Sequence, residues 1–127
     1  MCKTPSSEVL AVLPLKPTMF EILLVLAGED LHGYAIVKQL EERSGGALRL
    51  EPANLYRTLR TMIDRDLIAE TDRRPDTKLD DQRRRYFHIT KFGREVARAE
   101  AGRLERLVED ARKQRLLAGG GRKRYSG

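Results

Sequence analysis

Cysteine, tryptophan and long apolar runs are nearly absent from this sequence, and each scarcity excludes a class of protein. The one cysteine, Cys2, has no second thiol with which to form a disulfide or bind a metal, a pattern typical of a reducing compartment. The apolar run at residues 9–15, "VLAVLPL", is too short and proline-interrupted for a signal peptide or a membrane span, so we expect it to pack on the domain. The sequence therefore predicts a cytoplasmic protein.

Motifs of enzymes are also missing. The sequence has no His and Cys pairing at metal-ligand spacing, no glycine-rich phosphate loop and no nucleophile motif. Asp80 and Asp81 are adjacent, so their side chains would point apart on a strand and would be loosely placed on a loop. We therefore expect no catalysis, no metal site and no cofactor.

Charge is abundant, and its location decides what it means. Charged residues make up 35% of the 127 residues, and the formal net charge is +6. A basic chain favours an anionic partner. However, Arg122, Lys123 and Arg124 supply three of those six charges from a glycine-rich tail, residues 118–127, which we expect to be disordered. Bulk charge alone therefore does not establish a nucleic-acid partner.

Glycines and prolines divide residues 17–65 into three predicted helices. Thr18 and Glu21 have the spacing of a capping box, which predicts a first, largely buried helix over residues 18–27, ended by Gly28. A second helix follows over "HGYAIVKQLEER" and stops at the double glycine of residues 45–46. Pro52 fits the first turn of a third helix that runs to about residue 65.

The third helix has two contrasting faces. At the ~100° per residue of an α-helix, Leu55, Leu59, Met62 and Ile63 lie on one side. The other side is small and polar, and it consists of Ala53, Asn54, Arg57 and Thr61 with Arg60 at its flank. Asparagine can pair bidentately with adenine and arginine with guanine, so this face fits the reading of bases in a DNA groove. The alternative is that these residues form a helix face that contacts only solvent.

A hairpin and one long helix follow. The stretches "LIAETDR" and "RRRYFHI" flank the turn-forming "RPDTKLDDQ", which predicts two strands of a hairpin. Thr90 then signals the start of a helix to about residue 117, which would span about 42 Å at ~1.5 Å per residue. Its apolar residues repeat by four and three, as in a coiled-coil seam: Ala97, Ala101, Leu104, Val108 and Ala111. Because so small a core cannot cover this length, part of the helix needs a partner.

Three short stretches, taken together, resemble one family. "HGYAIVKQLEERSGG", "LYRTLRTMIDRDLIAE" and "DDQRRRYFHIT", in this order, resemble the PadR family of transcriptional regulators over about residues 17–117. The resemblance implies a winged helix-turn-helix homodimer that binds operator DNA through its third helix and wing, usually as a repressor. The single long terminal helix resembles the shorter branch of the family. Asn54 stands where many relatives have threonine, so the resemblance does not imply which base this helix prefers.

The predicted architecture is mainly α with a small β-hairpin. It comprises an N-terminal extension (residues 1–16), a winged helix-turn-helix domain (17–89), a dimerisation helix (90–117) and the basic tail (118–127). We predict DNA contacts from the third helix by Ala53, Asn54, Tyr56, Arg57, Arg60 and Thr61. In the wing we predict phosphate contacts by Lys78 and Arg84. As alternatives, Tyr56 packs against the hairpin, and the aspartates of the wing pair with its arginines.

Four further residues have a structural interpretation instead: His32, Gly33, Tyr34 and His88. His32 can cap the second helix, and Gly33 permits close packing or an unusual backbone angle. His88 lies in the middle of a strand, where a packed or edge histidine is the usual case.

Partners follow from the same pattern. Two copies joined along the seam would place two third helices about 34 Å apart on one side of a DNA duplex, as half-sites require. The resemblance implies a small aromatic or hydrophobic effector at the dimer interface, but the seam is rich in alanine, so an effector-independent repressor also fits. Two other functions remain open: a winged-helix protein-interaction module and a nonspecific nucleic-acid-binding protein.

Overall fold

A computed structural model describes residues 6–45, 51–71 and 85–118. The helices and strands follow one another as α1 (Ser7–Val12), α2 (Pro17–Gly28), β1 (Leu31–His32), α3 (Gly33–Arg43), α4 (Pro52–Asp64), β2 (Ile68–Thr71), β3 (Tyr86–Ile89) and α5 (Lys91–Lys113). This order confirms the mainly α, winged-helix architecture with a long C-terminal helix. The predicted disordered tail lies outside the described residues, except for Ala118.

Two of the three predicted helix caps form. The ring Nδ1 of His32 accepts a hydrogen bond from the Ala35 N–H at 3.3 Å, and Thr90 Oγ1 accepts one from the Gly93 N–H at 2.8 Å. The prediction of a capping box formed by Thr18 and Glu21 was wrong. Helix α2 begins one residue earlier, with Pro17 in its first turn and no side-chain cap, because proline brings no amide hydrogen that needs a partner.

The sheet has one strand more than the predicted hairpin. Its order is β1-β3-β2, and both pairs are antiparallel, with Leu31 opposite Phe87 and Ile68 opposite Ile89. Strand β1 is two residues long, too short to leave an alternating pattern in the sequence. Since β1 runs directly into α3, it fastens the start of that helix to the base of the wing.

The core is gathered around α2, whose Ile22, Leu23 and Leu26 are almost fully buried. Helix α4 contributes the apolar side that its periodicity predicts. The buried residues that α3, α4, the sheet and α5 add to this cluster include Ile36, Leu40, Leu55, Leu59, Met62, Phe87, Ile89 and Val96. Burying one side of α4 leaves its opposite, polar side facing outward.

The N-terminal segment packs on α5, as expected for its apolar run. Val9 of α1 and Leu15 are buried. Close by, Glu100 of α5 is only 2% exposed, and Arg103 donates two hydrogen bonds of 2.8 Å to its carboxylate. The hydrogen bond from Arg103 lowers the pKa of Glu100, burial opposes that shift, and the Arg103 charge and the Leu15 N–H lower it further. Glu100 is therefore a buried carboxylate that holds its charge.

Helix α5 is shorter than predicted. It has 23 residues, or about 35 Å at ~1.5 Å per residue, and is capped at Gln114. Arg115 then adopts a left-handed φ of 64°, which ends the helix before Leu116 and Leu117. None of the helices in the described ranges combines the length and apolar composition that crossing a membrane requires.

The first turn of α5 crosses close to the sheet. A Cβ on Gly93 would collide with the carbonyl oxygen of Leu67, the residue before β2. Thr90 Oγ1 donates to the carbonyl oxygens of Asp66 and Leu67 in the same region, at 2.7 and 3.0 Å. This close crossing ties the long helix to the turn that follows α4.

Candidate nucleic-acid interface

The outward side of α4 brings together the predicted recognition-helix residues. Leu55, Leu59 and Met62 hold the helix on the core. Thr61 is half-buried, and the residues that are exposed on the other side are Ala53, Asn54, Tyr56, Arg57 and Arg60. The structure thus presents a continuous polar face on a helix whose position the core determines.

Asn54 and Arg57 are joined on that face. Arg57 Nη1 donates a hydrogen bond to Asn54 Oδ1 at 2.8 Å. Thr61 Oγ1 donates to the Arg57 carbonyl oxygen at 3.2 Å, so its hydroxyl hydrogen is engaged within the helix. An amide oxygen has two lone pairs and a guanidinium has five N–H donors, so both side chains retain hydrogen-bonding capacity for a further partner.

Arg60 is held less firmly. Its Nε lies 4.0 Å from Asp64 Oδ1, and the two side chains are 77% and 68% exposed. An exposed ion pair at this separation contributes at most about 1 kcal/mol. Arg60 can therefore exchange Asp64 for another anion at little cost.

Tyr56 packs on the start of α3. A Cβ built on Gly33 would lie only 2.5 Å from the Tyr56 hydroxyl oxygen and 3.0 Å from Cζ. The hydroxyl end of the ring therefore lies against Gly33, while 53% of Tyr56 is exposed. This contact brings the His-Gly-Tyr stretch and the Leu-Tyr stretch of the sequence together in space.

A groove separates α4 from the base of the wing. Its volume is about 700 Å³, and its walls include Tyr34, Tyr56, Arg60, Glu70 and Arg85. Arg85 Nη1 lies 3.3 Å from Glu70 Oε2 across the two strands, and the Arg85 side chain is 72% exposed. Sequence reasoning did not assign Tyr34 or Arg85 to the site. Only the position of Tyr34 two residues after the helix-capping His32 could have indicated its place at this groove.

The wing predictions fall outside the described residues. Lys78 and Arg84 both lie in residues 72–84, as do the aspartates proposed to pair with the wing arginines. Their roles stay predictions.

Both histidines make structural contacts. The His32 ring stacks on Tyr34 with centroids 6.4 Å apart and meets Tyr86 edge-on at 5.4 Å. His88 Nδ1 lies 2.9 Å from Asp30 Oδ1 and links β3 to the turn before β1. Across the described ranges, no three His, Cys, Asp or Glu side chains are grouped so that they could hold a metal ion.

The predicted dimerisation seam divides into two parts on α5. Ala97 packs against the protomer's own core. Farther along, Leu104 and Ala111 are half-buried, whereas Ala101 and Val108 are exposed. Leu107, which the seam omitted, is 51% exposed. The apolar surface open to a partner therefore lies on the C-terminal half of α5 and includes Leu107.

Known proteins share this fold. A PadR family transcription regulator from Clostridium difficile superposes with a TM-score of 0.65 at 23% identity, over 80% of this chain and 100% of that one. A transcriptional regulator from Clostridium thermocellum has a TM-score of 0.64 at 20% identity, over 85% and 95% of the two chains. Bacillus subtilis PadR in complex with operator DNA has a TM-score of 0.54 at 22% identity, over 68% and 46%. No curated protein sequence matches the chain.

The sequence itself carries the family assignment. The model of the transcriptional regulator PadR-like family matches residues 22–99, from within α2 to the first half of α5. Members of that family are transcriptional regulators and not enzymes, in agreement with the sequence-based expectation. Because the match spans more than half of the chain and the solved structures share its fold, the chain belongs to the PadR-like family of transcriptional regulators.

Proposed function

We propose that the protein is a homodimeric repressor that binds a specific double-stranded operator through the outward face of α4. The observation that carries this proposal is the joined pair of Asn54 and Arg57, exposed on a helix whose opposite side is buried. The neighbouring fold of Bacillus subtilis PadR, solved in complex with operator DNA, supports the same assignment.

The chemistry of α4 suits the major groove. A recognition helix enters that groove with its N-terminal end, so Ala53, Asn54 and Arg57 would approach the bases. Asn54 can accept from adenine with its remaining Oδ1 lone pair and donate from its amide group, while Arg57 donates to guanine. Arg60 and Thr61 would contact bases or phosphates, and Tyr56 would donate its hydroxyl to a phosphate oxygen. In the wing, Lys78 and Arg84 would contact the flanking backbone.

Dimerisation supplies the spacing between half-sites. On the C-terminal half of α5, Leu107 and Val108 are exposed in a single protomer and Leu104 is half-buried. Covering them with the same residues of a second copy would form a twofold interface and set the two α4 helices about 34 Å apart. Repression follows when the bound dimer blocks RNA polymerase in the cytoplasm.

A small hydrophobic or aromatic effector would act through this interface. A ligand shifts an equilibrium only by its differential affinity for the two states, so it must bind one tilt of the α5 helices better than the other. A repressor without an effector needs only the fixed spacing. Calorimetric titration of the protein with small aromatic and hydrophobic compounds, with and without operator, tests for the effector-dependent form.

The proposal is tested by selecting fragments of the source genome that the purified protein retains. We expect recovered fragments to share a pseudo-palindromic sequence that remains bound in excess random duplex. Nonspecific binding would instead fall on all sequences alike with salt, by a slope of about −0.9 in log K against log salt for each phosphate contact. Failure to retain any duplex would point to a protein-interaction module and overturn the proposal.

A further inference from the structure

We infer that Gly33 is a positioning residue for DNA binding, because it provides the surface on which Tyr56 is held in one orientation. The expected effect on DNA binding rests on the proposed function, whereas the contact between Gly33 and Tyr56 does not. Gly33 is the first residue of α3, and Tyr56 lies near the start of α4, so the contact joins the two helices of the helix-turn-helix.

Space, and not backbone conformation, explains the glycine at this position. Among the described glycines only Gly45 has a positive φ, so Gly33 adopts a backbone that any residue can adopt. An added Cβ would lie 2.5, 3.0 and 3.2 Å from the hydroxyl oxygen, Cζ and Cε1 of Tyr56. Any side chain at residue 33 would therefore displace the Tyr56 ring from its present place.

The surface beneath Tyr56 is itself fixed. His32 caps α3 through the Ala35 N–H and lies in β1, opposite Tyr86 of β3. The His32 ring also contacts Tyr86 edge-on. Gly33 therefore keeps a constant position relative to the sheet. Its contact with Tyr56 holds the Tyr56 ring in place relative to the sheet as well.

The exposed half of Tyr56 is what the contact orients. An exposed tyrosine ordinarily moves between rotamers, and ordering it on a ligand costs conformational entropy. Resting on Gly33, the ring already faces the groove that it shares with Arg60 and Arg85. Tyr56, Arg60 and Arg85 thus line one groove, and a backbone phosphate of DNA bound there would accept hydrogen bonds from these side chains.

A variant that tests this arrangement should still fold. In Gly33→Ala the atoms that must give way belong to the end of a half-exposed side chain, so Tyr56 can swing into solvent. We expect Gly33→Ala to weaken operator binding about tenfold, the size of one lost hydrogen bond to a charged group, with an unchanged melting temperature. Gly28→Ala is the matched control, because a Cβ there meets nothing within 4 Å.

A double-mutant cycle decides whether Gly33 acts through Tyr56. Tyr56→Ala should weaken binding as Gly33→Ala does, and adding Gly33→Ala to it should cause no further loss. Independent, additive losses would overturn the inference. Tyr56→Phe keeps the ring on Gly33 and should fold even if Gly33→Ala does not. Operator binding by Tyr56→Phe equal to wild type would also overturn the inference.

Fluorine NMR of protein labelled with 3-fluorotyrosine tests the geometry without DNA. Tyr56→Phe identifies the Tyr56 resonance, which we expect to be shifted from the free amino acid in wild type and in Gly28→Ala. In Gly33→Ala it should move toward the free value. An unmoved resonance refutes the contact, whereas a moved resonance in a protein that binds no duplex supports the contact and refutes only the proposed function.

Discussion

Arg57 Nη1 and Asn54 Oδ1 are 2.8 Å apart, so two candidate base-contacting side chains are held as one unit on α4. Holding them together before DNA arrives limits the rotamer freedom that binding would otherwise remove. Substituting either residue therefore also removes the hydrogen bond that orients the other.

Arg57→Ala should lower operator affinity by about 1–3 kcal/mol and relax sequence preference at the base pair that it contacts. The reason is the loss of the bidentate donor that we propose for guanine. Fluorescence anisotropy with the operator and with single-base variants measures both effects. Arg98→Ala, which removes an exposed arginine from α5, is the control and should bind as wild type does. An equal loss on every sequence would reassign Arg57 to a phosphate contact.

Leu104→Glu should convert the proposed dimer into monomers. The substitution places two carboxylates in a twofold apolar interface, where desolvating them costs several kcal/mol. Size-exclusion chromatography with light scattering gives the mass. Ala27→Glu adds the same charge at an exposed position of α2 and should remain dimeric. An unchanged mass for Leu104→Glu would show that α5 does not form the interface.

Gly93→Ala should destabilise the fold by roughly 1–3 kcal/mol, as overpacking does. Its Cβ would collide with the Leu67 carbonyl oxygen, a backbone atom that cannot rotate away. Urea unfolding measures the free energy. Gly102→Ala is a matched control on the same helix, because its nearest atom is 3.9 Å away. We expect it to be neutral or to gain up to about 1 kcal/mol from helix propensity, and comparable losses in both variants would contradict the close crossing.

Glu100→Gln should destabilise the protein by about 1–3 kcal/mol at neutral pH, because it removes a hydrogen-bonded carboxylate. The hydrogen bonds that Arg103 donates hold the pKa of the Glu100 carboxyl below its ordinary value in the folded chain. Such a group stabilises the fold fully above the unfolded pKa, and the contribution is lost as pH falls through the folded pKa.

The same variant should therefore lose less stability than wild type as the pH falls below the ordinary glutamate pKa of about 4.3. Urea unfolding at pH values from neutral to acidic measures the difference. Glu109→Gln removes the carboxylate of an exposed pair with Arg112 and should change stability by less than about 1 kcal/mol. Parallel acid profiles for wild type and Glu100→Gln would show that Glu100 contributes no pH dependence.

Features that depend on residues close together in the chain could be predicted from the sequence alone. The buried and exposed sides of α4 follow from a 3.6-residue period, and the caps at His32 and Thr90 act on amides three residues away. Local signals failed where two of them competed, as at Pro17 and the expected capping box of Thr18. The length of α5 was overestimated because the pattern continued past the turn at Arg115.

The packing of the helices and strands determines which distant residues meet. Tyr56 rests on Gly33, the two-residue strand β1 joins β3, and Glu100 is buried beside Leu15, although each contact joins separate parts of the chain. It also decided that Ala97 serves the protomer's own core while Leu107 stays exposed. The physical reason is that periodicity sets which way a side chain faces along its own helix. What stands opposite that side chain depends on how the helices and strands pack, and no local pattern contains that information.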